Sequence, residues 1–178
     1  MEGASSRRRP TSSRGGPTVG VDIGGTSTTV AVVAPSGRIL RSNRKPTGAT
    51  RGARVVAREI AGTIRELSRG PSQPPIAVGI GVAAQVDGSG RIVDSPNLKW
   101  HRVPLARWLA HDLRMPVVVT NDVRAATFGE WHHGAGRGER DLVCVFVGTG
   151  LGGGIVAGGR IRHGDSHTAG EFGHVTVV

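Results

Sequence analysis

The sequence is short of cysteine, of tyrosine and of long apolar runs, and each shortage excludes a class of protein. The single cysteine, Cys144, rules out an internal disulfide framework and cannot form a thiolate zinc site alone. No apolar run has the length that a membrane-spanning helix needs. The arginines near the N-terminus are not followed by the apolar segment of a signal peptide. Together these features favour a soluble, cytoplasmic protein that does not act at a membrane.

The chain carries a formal charge of +10, which is often found in proteins that bind nucleic acids. Its basic residues are nevertheless spread along the whole sequence, and 21 of the 23 are arginine. Aromatic residues make up only 3% of the chain, so we expect no stacking platform for single strands. Only 19 residues precede Gly20, which is too few for a helix-turn-helix domain. Nucleic acid is therefore not an expected partner.

Glycine is abundant, with 29 residues in 178, and it separates a series of short strand and helix patterns. Residues 1–17 are rich in Ser, Arg, Gly and Pro, which predicts a disordered basic tail. From Thr18 the pattern predicts an antiparallel meander of three strands, followed by a helix. Later predicted elements are a helix face over 56–67, strands over 76–82 and 117–119, a hairpin over 86–93, a loop over 94–97, and helices that begin near Pro104 and Asp122.

The pattern of a strand, a glycine turn and a returning strand occurs twice in the chain. The second copy has a strand over 142–147, a glycine turn over 148–154, and further strands over 155–157 and 160–162. This repeat predicts two related halves that face each other across a cleft, each with a glycine turn directed towards it. Because the sequence stops inside the apolar run 175–178, we expect the second half to be truncated.

The two glycine turns are candidate phosphate-binding loops. In the first, Gly24 and Gly25 would let the backbone approach a phosphate, Thr26 adds a hydroxyl donor, and Asp22 could hold hydrated Mg²⁺. The alternative for this turn is an ordinary hairpin. The second turn matches G-x-G-x-x-G, but a strand follows it instead of a helix, which excludes a dinucleotide-binding turn. As a pair, the two turns could hold a nucleoside triphosphate from both sides.

Two further segments carry candidate catalytic and sugar-binding residues. Asp122 follows a buried strand and could accept the proton of an attacking sugar hydroxyl, while Asn121 binds a neighbouring hydroxyl. The alternative for Asp122 is the N-cap of the following helix. Glu171 and His174 could bind adjacent hydroxyls of a sugar, or lie in a loop without function. The other histidines lack the spacing of metal ligands and are interpreted as surface residues.

Taken in order, five segments resemble the ROK family of repressors and sugar kinases, over nearly all of residues 19–178. They are the D-I-G-G-T run at 22–26, S-P-N-L-K-W at 95–100, N-D-x-x-A-A-x-x-G-E at 121–130, the glycine run at 148–154 and E-F-G-H at 171–174. The resemblance implies an α/β fold of the actin/hexokinase/RNase-H-like type, with a mixed sheet and flanking helices. It also implies one such domain over 18–120 and the incomplete start of a second over 121–178.

The resemblance further implies a glucokinase-like enzyme, a homodimer when complete, that moves the γ-phosphate of ATP, with Mg²⁺, to the 6-hydroxyl of a hexose. On that model Asp122 is the base. The sugar would contact Asn97, Asn121, Glu171 and His174. The nucleotide would contact Asp22, Gly24, Gly25, Thr26, Gly148, Thr149, Gly150, Gly152 and Gly153.

The chain departs from the family pattern in two places. In the family His174 would bind zinc together with three downstream cysteines, and those cysteines are absent here, which argues against zinc. The G-x-P-G-x-[VI]-D loop of the family reads Gly81 to Asp87 in this chain, without its proline and second glycine, and Gln85 could change which sugar fits. A non-catalytic sugar-sensing regulator or pseudo-kinase is therefore the alternative function. Polyphosphate is left open as an alternative donor.

Overall fold

The computed structural model describes residues 15–148 and 150–174, which form ten strands and three α-helices. No helix in these ranges is long and apolar enough to cross a membrane. The helices are α1 (Ala53–Leu67), α2 (Leu105–Leu113) and α3 (Asp122–His133). The strands are β1 (Thr18–Ile23), β2 (Ser27–Val33), β3 (Ile39–Pro46), β4 (Val78–Val82), β5 (Gln85–Val86), β6 (Ile92–Ser95), β7 (Trp100–Val103), β8 (Val117–Asn121), β9 (Leu142–Val147) and β10 (Leu151–Val156).

The largest sheet is mixed and has the strand order β3-β2-β1-β4-β8. Strands β1, β2 and β3 form the predicted antiparallel meander, while β4 runs parallel to β1 and β8 parallel to β4. Parallel neighbours need a crossover connection, and the chain supplies α1 before β4 and α2 before β8. The three parallel strands therefore end at the same edge of the sheet.

The core lies between this sheet and helices α1 and α2. In β1 the alternate residues Val19, Val21 and Ile23 are buried, as expected for a strand with one face on the core. Their partners include Ile64 of α1 and Leu109 of α2, which are also almost fully buried. Burial of each such aliphatic side chain stabilises the fold by about 1.5–3 kcal/mol. A core of branched aliphatic residues thus fixes the position of the sheet edge.

A small antiparallel sheet, β5-β6-β7, follows β4 and differs from the prediction. Asp94 and Ser95 were expected in a loop, but they belong to β6. Strand β7 was not predicted, because its two middle residues, His101 and Arg102, are polar and interrupt the apolar pattern. Trp100 holds this sheet to the main body: it is buried, and its indole N–H donates to the carbonyl of Ala49 at 3.3 Å.

The second glycine turn is shorter than predicted. The returning strand β10 begins at Leu151 instead of residue 155, since Gly152, Gly153 and Gly154 pair with β9 in a regular antiparallel register. The predicted strand over 160–162 is reduced to one bridge, between Val156 and Ile161. The predictions for residues 1–14 and 175–178 lie outside the described residues.

Candidate active site

The candidate residues of the first half meet at the carboxyl edge of the parallel strands. The strand register pairs Ile23 with Val82, and Val82 with Asn121, so β1, β4 and β8 end side by side. Asp22 lies near the end of β1, and Asp122 directly follows β8. Open α/β sheets bind their ligands at this edge. Two carboxylates that are 100 positions apart in the sequence are therefore brought to one place.

The two carboxylates are close enough for their charges to repel each other. The pKa of Asp22 is raised above its usual value, first by partial desolvation and then by the negative charge of Asp122, while Arg44 opposes both. Asp22 is nevertheless an exposed residue, so solvent screens much of this repulsion. A divalent cation between the two carboxylates would relieve it, because hard cations prefer carboxylate and water ligands.

Replacing Asp22 by Asn is expected to raise the melting temperature at about pH 7, by no more than about 2 °C. Since the pKa of Asp22 is raised in the folded state, its ionisation removes stability as the pH rises from about 4 through that pKa. The gain should therefore shrink towards pH 4. Thermal unfolding of both proteins at the two pH values measures this difference.

The matched control for this variant is Asp87→Asn. The pKa of Asp87 is lowered, chiefly because its carboxylate accepts a hydrogen bond from the Ser89 hydroxyl at 2.6 Å. This change is expected to lose stability at neutral pH, which is the opposite sign. An Asp22→Asn variant that melts earlier than the natural protein at neutral pH would contradict the proposed repulsion.

The first glycine turn is held in place by Thr47, a residue that the sequence analysis did not identify. The turn closes through the Gly24 amide, which donates to the carbonyl of Ser27 at 3.0 Å. The Thr47 hydroxyl donates to the Gly24 carbonyl at 2.7 Å, and the Thr47 amide donates to the Thr26 carbonyl at 2.9 Å. Thr47 is buried, whereas Gly25 and Thr26 are exposed. The tip of the turn is thus accessible while its base is fixed.

Asn97 lies beside this turn, as a shared pocket requires. A β-carbon placed on Gly25 would be 3.4 Å from the β-carbon of Asn97. The loop that carries Asn97 is fixed by Ser95, whose hydroxyl donates to the Ala83 carbonyl at 2.7 Å and accepts the Leu98 amide at 3.3 Å. The candidate phosphate turn and Asn97, a candidate sugar-binding residue, are therefore neighbours.

The N-cap of α3 is Asn121, so the alternative interpretation of Asp122 as the cap is wrong. The Asn121 side-chain oxygen accepts the Arg124 amide at 3.0 Å, and its NH₂ group donates to the Ala84 carbonyl at 3.3 Å. Asp122 is the first helical residue, and its Oδ1 accepts the Val123 amide at 2.9 Å. Its second carboxylate oxygen has no hydrogen-bond partner among the described residues.

The glycines of the second turn fall into two groups. Gly148 and Gly150 have open space where a β-carbon would be, as a loop that receives a ligand requires. Gly152 and Gly153 are packed instead: a β-carbon at Gly152 would be 2.9 Å from Val123, and one at Gly153 would overlap Phe172. The structure thus gives Gly152 and Gly153 a packing role. For Gly148 and Gly150, the predicted contact with the nucleotide is the only role. Thr149 lies outside the described residues.

Helix α3 packs against both the first sheet and the β9-β10 hairpin. On one side, a β-carbon at Gly81 of β4 would be 3.2 Å from both Asp122 and Ala125. On the other side, a β-carbon at Gly154 of β10 would be 2.7 Å from that of Thr127. The absence of side chains at these two glycines therefore lets one helix lie against both sheets, with Asp122 at its start.

The chain after β10 returns to the site, and Arg124 holds it there. This arginine is buried in the first turn of α3, and its guanidinium donates to the His167 carbonyl at 2.9 Å. The pKa of Arg124 is lowered by burial, and the negative charge of Glu171 opposes that shift. Glu171 is thus near α3, as a shared site requires, while the side chain of His174 lies outside the described part of the chain.

The altered loop between β4 and β5 keeps an ordinary backbone. Neither Ala83 nor Ala84 has a positive φ angle, so the glycine of the family pattern is not needed for conformational reasons. The Ala83 amide donates to the Ile23 carbonyl at 3.0 Å, which ties the loop to β1. Gln85 is exposed, and its side-chain NH₂ group is 3.5 Å from the Ser166 carbonyl. The loop therefore also contacts the returning segment, at the residue before His167.

The described residues do not provide a zinc site. Within 15–148 and 150–174 no group of three or more His, Cys, Asp or Glu is arranged to hold a metal ion. Cys144 lies on β9 as a free thiol. The described residues therefore do not fit a zinc ion.

The model of the ROK family matches residues 18–178. The chain belongs to the ROK family. It is 41% identical over 164 residues to a glucokinase of Streptomyces coelicolor, which covers 92% of this chain and 50% of that protein. It is 34% identical over 116 residues to a xylose repressor of Caldicellulosiruptor bescii, which covers 64% of this chain and 29% of the repressor.

A solved structure of a ROK family glucokinase from Streptomyces griseus, in complex with glucose and AMPPNP, superposes with a TM-score of 0.82. The identity is 41%, over 92% of this chain and 51% of that one. The predicted α/β fold of the actin/hexokinase/RNase-H-like type, with a mixed sheet and flanking helices, is confirmed. This ROK chain spans about half the length of the glucokinases it matches.

Proposed function

We propose that this chain is part of a kinase that transfers the γ-phosphate of ATP to a hydroxyl of a hexose, most simply the 6-hydroxyl of glucose. The observation that carries the proposal is Asp122, which lies at the carboxyl edge of the parallel strands with one carboxylate oxygen unpartnered by described residues. Its neighbour Asp22 would bind the Mg²⁺ that accompanies ATP. The similarity to glucokinases supports the choice of substrate.

In the proposed reaction, Asp122 accepts the proton of the attacking hydroxyl. The hydroxyl oxygen then forms a bond to the γ-phosphorus, the bond between that phosphorus and the bridging oxygen breaks, and ADP leaves. Such transfer demands positioning and charge stabilisation more than a strong base. The amides of Gly24 and Gly148 already donate within their turns, to the carbonyls of Ser27 and Gly150. The backbone amides of Gly25, Thr26 and Gly150 would therefore be the ones supplied to the phosphates.

The proposed sugar contacts come from separate segments of the chain. Asn97 lies next to the first turn, and Glu171 lies near Arg124 in the first turn of α3. Asn121 already binds backbone groups through both ends of its amide, so it would contact sugar only with its remaining hydrogen-bonding capacity. His174 would be the fourth sugar contact.

We also propose that the boundary between the two predicted halves falls between residues 120 and 121, at the end of β8. Strand β8 is hydrogen-bonded into the first sheet, whereas α3 packs against both sheets. The predicted cytoplasmic homodimer is part of the same proposal, and the mass of the natural protein in solution tests its oligomeric state.

A non-catalytic sugar sensor is the second candidate, because Ala83 and Ala84 replace the proline and second glycine of the family loop, beside Gln85, and the repressor of C. bescii is also similar. We expect ATP-dependent phosphorylation of at least one sugar in a panel of glucose, mannose, fructose and N-acetylated amino sugars. The assay uses the full-length natural protein, with polyphosphate as the alternative donor. Calorimetry of the same sugars runs in parallel.

The two measurements separate the candidates. Turnover with one sugar establishes the kinase and identifies its acceptor. Sugar binding without turnover would favour the sensor, and Gln85 would then be the first residue to replace. No binding of any sugar would contradict both candidates.

A further inference from the structure

The segment over residues 163–171 leads from the end of the second sheet to Glu171, and it contacts α3 at His167, Gln85 at Ser166 and β10 at Gly170. Three backbone hydrogen bonds lie within it, including the Ala169 amide to the His163 carbonyl at 3.0 Å and the Glu171 amide to the Thr168 carbonyl at 3.2 Å. These bonds shape the segment but do not fix it to α3. The hydrogen bond from Arg124 to His167 supplies that attachment.

Arg124 is an unusual residue to find in this position. It is only 5% exposed, and its Nε atom has no hydrogen-bond partner among the described residues. An arginine is rarely buried without a partner of opposite charge, because removing its charge from water is costly. The charge that compensates it is that of Glu171, which raises the pKa of Arg124 against the effect of burial.

The neighbouring histidines do not supply that compensation. The pKa of His163 is lowered by desolvation, by the positive charge of Arg124 and by His167. Glu171 is therefore the negative group that interacts with the guanidinium, while the backbone carbonyl of His167 accepts its hydrogen bond. Arg124 therefore interacts with the 163–171 segment at two residues: it donates to the His167 carbonyl, and its charge attracts that of Glu171.

We propose that Arg124 is a positioning residue, which fixes the 163–171 segment on α3 and thereby sets the place of Glu171 in the hexose pocket. The inference rests on the proposed function. Asp122 lies two residues before Arg124 on the same helix turn, so the base and the sugar-binding segment share one rigid support. Arg124 touches no reacting atom in this scheme. It determines where a sugar ligand lies relative to the base.

The test uses Arg124→Lys and Arg124→Gln in the full-length natural protein, with glucose as the probe. Lysine keeps the charge but not the planar group that donates in a fixed geometry. We expect the Kd of glucose to rise by about tenfold in the lysine variant and by more in the glutamine variant. The Kd of AMPPNP should stay within about twofold, since the Arg124 side chain has no hydrogen bond to a described residue of either phosphate turn.

Arg107 provides the matched control, because it is an exposed arginine of α2 with no hydrogen bond or ion pair to another described residue. Arg107→Gln should change neither affinity. Hydrogen exchange provides a readout that needs no activity: amides of residues 163–171 should exchange faster in the Arg124 variants, while those of β1 and β4 should not.

Two results would overturn the proposal. One is unchanged exchange over 163–171 together with unchanged glucose affinity in folded Arg124→Lys. The other is an equal loss of glucose affinity, AMPPNP affinity and melting temperature in that variant, because Arg124 would then be a general stabilising residue. If the natural protein binds no sugar, the proposed function fails, and hydrogen exchange alone decides whether Arg124 fixes the segment.

Discussion

Asp122→Asn is expected to lower kcat for hexose phosphorylation by about 10²–10⁴-fold, the range typical of the loss of a general base. The Kd of glucose should stay within about threefold, since the lost interaction is made in the transition state. The amide cannot accept the hydroxyl proton, so the acceptor of the proposed reaction is removed without a change in side-chain volume.

The structure explains why this variant should fold. The side-chain oxygen of the new asparagine can still accept the Val123 amide, as Oδ1 of Asp122 does at 2.9 Å. The N-cap of α3 is Asn121, which the substitution leaves in place. Removal of the charge also ends the repulsion with Asp22. A loss of turnover can therefore be assigned to chemistry.

Asp141→Asn is the matched control for this variant. Asp141 is exposed before β9, and its Oδ1 accepts the Gly158 amide at 2.7 Å, an interaction that asparagine can also make. Steady-state kinetics and glucose calorimetry on the two variants compare equal changes in charge and shape. Comparable kcat values in Asp122→Asn and the natural protein would remove Asp122 from the proposed role.

The parts of the fold that the sequence predicted are those with strong local signals. β1 has buried valines at alternate positions and is followed by two glycines, and α1 has an apolar face that lies on the sheet. The register that places Asp22 near Asp122 is not local, but Asp22 lies near the end of one buried strand and Asp122 follows another, and parallel strands share an edge. Patterns alone could therefore assign both candidate carboxylates to the ends of strands.

The parts that were missed depend on contacts between distant segments. Thr47 and Arg124 stand in unremarkable sequence contexts, and only the folded chain brings them to Gly24 and His167. The N-cap at Asn121 was missed because Asn and Asp have similar cap preferences, and only the backbone geometry separates them.

The sequence also could not show why residues 152, 153 and 154 are glycines. A glycine that makes room for a phosphate and a glycine that makes room for a helix look identical in a sequence. The structure separates them by the neighbours that a β-carbon would meet, and these glycines face Val123, Phe172 and Thr127. Close packing of β10 is thus a second reason for the glycine run.

Gly170→Ala tests that packing and is expected to have a large effect on stability. Gly170 is buried with a φ of 93°, and a β-carbon there would overlap the Gly153 carbonyl oxygen and lie 3.1 Å from the Gly154 α-carbon. Because these are backbone atoms, they cannot move away as a flexible side chain can. We expect a loss of about 3 kcal/mol or more in the free energy of unfolding.

Gly159→Ala separates steric overlap from backbone strain. Gly159 also has a positive φ, 72°, but no atom lies within 4 Å of the position of its β-carbon. Its substitution should cost only the left-handed conformation, about 1–2 kcal/mol. Urea unfolding of both variants gives the difference between the two costs, which is the energy of the close approach between residue 170 and β10.

Glucose affinity should follow the same order. Gly170 directly precedes Glu171, so its displacement from β10 would move the proposed sugar ligand, and we expect the Kd of glucose to rise by about tenfold or more. Gly159→Ala should leave that Kd unchanged, because residue 159 lies in the turn after β10. Equal stability and affinity in the two variants would show that the 163–171 segment does not depend on its contact with β10, and Arg124 would then be its principal attachment.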